Sequence, residues 1–247
     1  MKRALVYLLL LVTCNLFAQE QLDNMSFDAW SKSKGAWNPY AENGKKVWDT
    51  ANHGSSILGI NATLPEYEHV AVPGPGKAAA KITSRKLVWA FLAGNIFTGK
   101  FVRVVKFSGA EMLDGVPFHG RPKSLSGYLD YRPGVIDYAK DPYLDQKGKQ
   151  DQGQIEVALY RWKGPKRFVS NDGPSTPAEK DPDFIGKAIL ILDTPTQGYI
   201  PFEIEFHYKN NLTPTYLFMS ALSSRWGEFF TGSSQSVLYL DELQFNY

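Results

Sequence analysis

The chain has 247 residues, with 27 Lys and Arg against 25 Asp and Glu and a single cysteine. The net charge of +2 leaves no basic surplus of the kind a nucleic-acid-binding face needs, so no nucleic-acid partner is expected, and one cysteine rules out an intrachain disulfide. With 43% apolar residues and 6 Trp, 13 Tyr and 15 Phe, the chain can bury a core, which excludes intrinsic disorder.

The first twenty residues read as an export signal. Met1-Lys2-Arg3 is a short positive segment, Ala4 to Val12 is apolar, and Asn15 to Glu20 offers a cleavage region. We expect residues 1–18 to be a signal peptide cleaved after Ala18, and residues 19–247 to be one domain. The apolar run is too short to span a membrane, and no second one follows, so no transmembrane span is expected. Leu11-Val12-Thr13-Cys14 offers an alternative, a lipid anchor through Cys14, although Thr13 is a poor residue before the cysteine. Cleavage after Ala18 would remove Lys2, Arg3 and Cys14. The exported domain would then have balanced charge and no thiol.

Along the rest of the chain, segments alternate with period two, the pattern of a strand with one buried face. Asn24 to Trp30 reads as a first strand, and Phe101 to Phe107 and Leu125 to Tyr131 follow. In Gln154 to Trp162, Ile155, Val157 and Leu159 oppose Glu156, Ala158 and Tyr160. Ala188 to Leu192 is apolar throughout, as for a strand covered on both faces. In Ile200 to Tyr208, Phe202, Ile204, Phe206 and Tyr208 oppose Glu203, Glu205 and His207. Tyr216 to Leu222 and Val237 to Phe245 complete the set. Asp137 to Gly153 and Lys163 to Asp183 read as long surface loops. No eleven-residue stretch keeps a helical stripe. About ten strands between Gly- and Pro-rich turns predict an all-β sandwich.

Enzyme motifs are thin. There is no nucleotide-binding glycine loop, no zinc-type spacing and no Gly-x-Ser-x-Gly elbow, and His53, His69, His119 and His207 carry no ligand spacing. Glu203 and Glu205 sit about 7 Å apart on one strand face, a separation compatible with a glycosidase pair, with Glu156 as a further candidate. The competing reading is the solvated face of a half-buried strand.

The chain ends are more specific. Asn24-Met25-Ser26-Phe27-Asp28 at the start and Leu240-Asp241-Glu242-Leu243 at the end resemble carbohydrate-binding β-jelly-rolls, in which the termini pair as neighbouring strands. That resemblance implies a structural calcium held by Asp28 and Asp241; otherwise Asp28 caps a turn and Asp241 faces water. Gly76-Lys77-Ala78-Ala79-Ala80-Lys81-Ile82-Thr83, Ala93 to Gly99, Gly115 to Phe118, Arg121 to Tyr131 and Ser223 to Gly232 follow in order. Together they resemble the putative carbohydrate metabolism domain of Bacteroidetes exported proteins, from about Asn24 to Tyr247. The resemblance implies a β-jelly-roll of galactose-binding or carbohydrate-binding-module type with a glycan-related role. Such domains often follow an immunoglobulin-like module, and none is expected within these 247 residues.

A sugar site needs flat aromatics and a few oriented polar groups. Trp37, Trp48 and Trp226 stand in polar, loop-like surroundings, whereas Trp89 and Trp162 sit in strand patterns and read as packing residues. Asn95 and Thr98 lie in a glycine-flanked turn, and Arg121 precedes Pro122 at the start of a strand. These six (Trp37, Trp48, Asn95, Thr98, Arg121, Trp226) are the expected carbohydrate contacts, the tryptophans otherwise being a lid over one end of the sandwich. Asn61-Ala62-Thr63 and Asn211-Leu212-Thr213 match a glycosylation sequon, and Asp49-Thr50-Ala51 resembles a bacterial O-glycosylation triplet. The expected function is that of a monomeric, exported glycan-binding accessory protein. Alternatives are a glycoside hydrolase or lyase using carboxylates, and a surface or adhesion module without a small ligand.

Overall fold

A computed structural model describes residues 19–86, 91–105, 109–170 and 178–247; the signal segment, Cys14 and Trp89 lie outside them. The described chain is built almost entirely of antiparallel strands. They are β1 (Ser31–Ser33), β2 (Ala36–Asn38), β3 (Trp48–Asp49), β4 (Thr63–Glu66), β5 (Ala79–Thr83), β6 (Arg85–Lys86), β7 (Phe91–Leu92), β8 (Asn95–Val105), β9 (Gly109–Asp114), β10 (Val116–Pro117), β11 (Ser124–Arg132), β12 (Gly153–Tyr160), β13 (Lys166–Val169), β14 (Phe184–Leu192), β15 (Ile200–Glu205), β16 (His207–Tyr208), β17 (Tyr216–Leu222) and β18 (Val237–Asn246). The single α-helical turn described, α1, covers Asn52–Ser55.

Two sheets carry the fold. The smaller runs β15-β11-β18-β5-β4, and the larger β13-β9-β8-β17-β12-β14-β16, with β3 on β8 and β10 on β17. The chain moves repeatedly from one sheet to the other, which gives the expected β-jelly-roll sandwich. The period-two pattern explains the layering. Ile155, Val157 and Leu159 of β12 point inward with Leu217, Met219 and Ala221 of β17, and meet Leu125, Leu129, Leu238 and Leu240 of the smaller sheet. The opposite positions of β12, Ala158 and Tyr160, form a second cluster with Trp162 and Phe184 on the outer face.

Four local expectations change. Asn24 to Trp30 forms no strand; instead Leu243 N–H donates to the Met25 carbonyl (2.9 Å) and the Gln21 amide brackets Phe245, so the ends still meet. Ala188 to Leu192 is covered on one face only, since Ile189 is 37% exposed. Lys163 to Asp183 contains β13, which pairs with β9, and a 3-10 turn at Ala178–Lys180. Asp137 to Gly153 is pinned by bridges from Val135 to Gln150 and from Tyr138 to Gly232, and ends on the fully buried Asp151.

The hairpin β8–β9 shapes the larger sheet. Residues Asn95 to Phe97 pair with β17, but Gly99 to Val105 pair with β9 instead. The chain returns at Gly115, whose N–H donates to the Thr98 carbonyl (2.9 Å), and β10 then takes its place beside β17. Gly99 (φ 141°) and Gly115 (φ 92°) supply the backbone angles this crossing needs.

Candidate functional site

The outer face of the larger sheet is open beside the Tyr160–Trp162 stack, and there it forms a cleft of about 480 Å³. Its floor comes from β8, β9, β12 and β17 through Asn95, Phe97, Met112, Asp114, Gln154, Glu156, Phe218 and Ser220. One wall is the segment Arg225 to Phe230 with Tyr143 against it; the other is α1 with Leu58.

Small buried groups hold the aromatic wall in place. The Asp151 carboxylate accepts hydrogen bonds from Ser224 Oγ (2.6 Å), Ser236 Oγ (2.8 Å) and Ser233 N–H (2.8 Å), which ties both ends of the segment to the sandwich. Burial pushes the Asp151 pKa above the ordinary carboxylate value, and these hydrogen bonds oppose that rise. Phe230 takes a left-handed φ of 53°, a costly conformation for a bulky residue, at the point where the wall turns back. Tyr143 lies 5.7 Å from the Trp226 ring and 4.9 Å from the Phe229 ring, so three aromatics form one surface.

Three carboxyl groups line the same cavity. Asp114 has a buried Oδ1 with no hydrogen-bond partner, and burial alone pushes its pKa up to about 7. Glu156 accepts from Gln154 Nε2 (2.9 Å) and stands 3.6 Å from Lys187 Nζ. Burial pushes its pKa up, Lys187 opposes the rise, and the charges of Glu179 and Glu228 reinforce it. Glu228 is exposed on the wall.

Of the expected contacts, Asn95, Trp226 and Glu156 line this cleft. Asn95 belongs to β8 rather than a turn, and its Oδ1 accepts the Ala51 N–H (2.9 Å). Trp48 is 1% exposed, meets Phe27 edge-on at 5.2 Å and donates to the Asp23 carbonyl, so it is a core residue. Thr98 is fully buried, and its hydroxyl bridges to β17 by accepting the Met219 N–H (2.8 Å). Trp37 lies outside the cleft beneath Lys32 (5.4 Å). The Arg121 guanidinium stacks on Tyr208 at 4.1 Å and donates to the carbonyls of Asn210 and Leu212, which occupies it with the loop there. Glu203 and Glu205 are exposed on the edge strand β15, where Ser124 Oγ donates to Glu203 (2.5 Å), and neither lines the cleft. Thr50, 1% exposed, is closed to modification in the folded chain.

The expected calcium ligands do not fit a metal. Asp28 Oδ2 is 2.9 Å from Lys77 Nζ, and Asp28 Oδ1 accepts the Ala78 N–H. Both Asp241 oxygens accept backbone N–H groups, from Ala71 and Glu242 (each 2.8 Å). Lys77 also reaches Glu242 (2.8 Å), so the Asp28 carboxylate already has an ammonium as its counter-charge. Among the described residues no group of three or more His, Cys, Asp or Glu is arranged to hold a metal ion.

Sequence reasoning passed over Asp114, Tyr143, Glu228 and Phe229. Asp114 ends the strand β9 in an unremarkable Leu-Asp-Gly sequence, but the Trp-Gly-Glu-Phe-Phe segment carries large aromatics in glycine- and serine-rich surroundings. That signal also covers Glu228 and Phe229.

The sequence profile of the putative carbohydrate metabolism domain matches residues 26–246. No curated protein matches the chain in sequence. Among solved structures, the chain is similar to one described as a putative glycoside hydrolase from Bacteroides thetaiotaomicron, with TM-score 0.66 and 17% identity over 90% of this chain and 70% of that one. A second, described in the same words, is from Bacteroides vulgatus, with TM-score 0.64 and 17% identity over 88% of this chain and 94% of that one. At such identity the likeness is one of fold. No helix among the described residues is long and apolar enough to cross a membrane.

Proposed function

The chain belongs to the putative carbohydrate metabolism domain family, and on that premise we propose that it is an exported, monomeric glycan-binding accessory protein of a Bacteroidetes bacterium. The ligand lies in the cleft on the outer face of the larger sheet. The observation that carries this reading is the meeting of Trp226, Tyr143 and Phe229 with Asp114, Glu156 and Glu228 around one cavity. A pyranose ring has C–H faces that lie on flat aromatics and hydroxyls that need a few oriented partners. The aromatic wall supplies the first, and the carboxyl groups with Gln154 and Ser220 supply the second. Export rests on the signal-like run Met1 to Ala18.

A glycan array followed by titration calorimetry tests the reading. Trp226→Ala is expected to weaken binding about tenfold or more, as for loss of an aromatic anchor, and to leave the melting midpoint unchanged. Trp48→Ala is expected to cost about 3–5 kcal/mol of stability, as for other large-to-small core substitutions. An array without hits, or unchanged affinity in Trp226→Ala, would refute the assignment.

A further inference from the structure

This inference rests on the carbohydrate reading of the cleft and extends it. We infer that the cleft also hydrolyses a glycosidic bond, with Glu156 as proton donor to the leaving oxygen and Glu228 as the carboxylate that takes a proton from the attacking water. Glu156 projects from the β12 side of the floor, where Gln154 donates to its Oε2. Glu228 lies in the 3-10 turn Gly227–Phe229, beside Trp226 and exposed to solvent. A sugar resting on the Trp226 wall is thereby flanked by one half-buried carboxyl from the floor and one exposed carboxyl from the rim.

Contrasting environments of this kind separate an acid from a base. Burial holds the Glu156 carboxyl above its ordinary range, and the Glu228 charge contributes to that rise, so the two groups are within electrostatic reach. Lys187, which faces Glu156 from β14, pulls the other way but is shared with Glu179 at 2.5 Å. The cavity also contains the unpartnered buried Oδ1 of Asp114, so its polar demand is not met within the protein.

In the step itself, the bond from the anomeric carbon to the bridging oxygen breaks as that oxygen takes the Glu156 proton. Water bonds to the anomeric carbon and its proton passes to Glu228. One water is consumed, two free hydroxyl ends appear, and exchange with solvent restores both carboxyls.

The experiment incubates the protein with every glycan it binds and measures new reducing ends. We expect release from at least one, with a loss of roughly 10²–10⁴-fold in Glu156→Gln and in Glu228→Gln. Rates are compared at saturating glycan, with each variant's affinity measured by calorimetry, so that a weaker hold on the sugar does not pass for a loss of chemistry. Because Glu228 is exposed, its variant tests the step even if Glu156→Gln folds poorly. Binding without any release would overturn hydrolysis and leave the binding assignment standing. Full activity in either variant would overturn the residue roles, and a protein that binds no glycan would overturn both readings.

Discussion

Asp114 has no cation and no hydrogen-bond donor against its buried Oδ1, and its pKa rises to about 7 through burial alone. In the unfolded chain the same carboxyl would titrate near the ordinary value of about 4. Between those values the native state binds a proton that the unfolded state does not, so stability falls as pH rises from about 4 to about 7 and is level above that. Asp114→Asn removes this penalty. It is expected to raise stability at pH 8 by roughly 2–4 kcal/mol and to flatten the pH dependence of the melting midpoint between pH 4 and 7. A midpoint at pH 8 equal to or below that of the parent would contradict this account. The tryptophans show how far single residues can be read from sequence. Trp226 and Trp48 stand in similarly polar surroundings, yet one lines the cleft and the other packs beneath Phe27. Composition around a residue says that it lies in a loop or at a short strand, but not which way it faces once the loop is pinned.

The hairpin β8–β9 decides where the cleft has its floor. At Gly99 an added Cβ would meet the Leu113 carbonyl oxygen, and the φ of 141° is closed to other residues. Gly99→Ala is therefore expected to loosen the hairpin, lowering the melting midpoint and speeding hydrogen exchange over residues 99–114. Gly164→Ala has no atom within 4 Å of the new methyl group and should stay within about 0.5 kcal/mol of the parent. Equal effects of the two substitutions would count against the crossing as the critical feature. Strands such as β12 and β17 were legible because their alternation is a property of consecutive residues. Strand β13 was not, because Lys166 to Val169 has no clean alternation and becomes a strand only through pairing with β9.

At the scale of the whole molecule, an ion-pair bridge joins the two ends of the domain. Asp28 near the start and Glu242 near the end are joined through the Lys77 ammonium, and its hydrogen bonds to Glu242 and Asp28 push the Lys77 pKa upward. Burial raises the Asp28 pKa, but hydrogen bonds from Lys77 and Ala78 outweigh it and bring the carboxyl below its usual value. A melt with excess chelator is expected to match a melt with millimolar calcium, because an ion bound by the native state alone would raise the midpoint. A calcium-dependent rise would show that the ion displaces Lys77.

The sequence by itself determined that the chain is all-β, that its strands have one apolar face, and that its family is a carbohydrate-related one. These follow from side-chain alternation and from short motifs, which are local. Only the tertiary structure decided which outer face stays open and which carboxyls look into it. Asp114, Glu156 and Glu228 are separated in sequence by about forty and seventy residues, and they share a cavity because β9, β12 and the Trp226 segment converge on the same sheet. Likewise, the candidate calcium ligands were recognisable as acids, but the lysine that satisfies one of them enters from a different part of the chain.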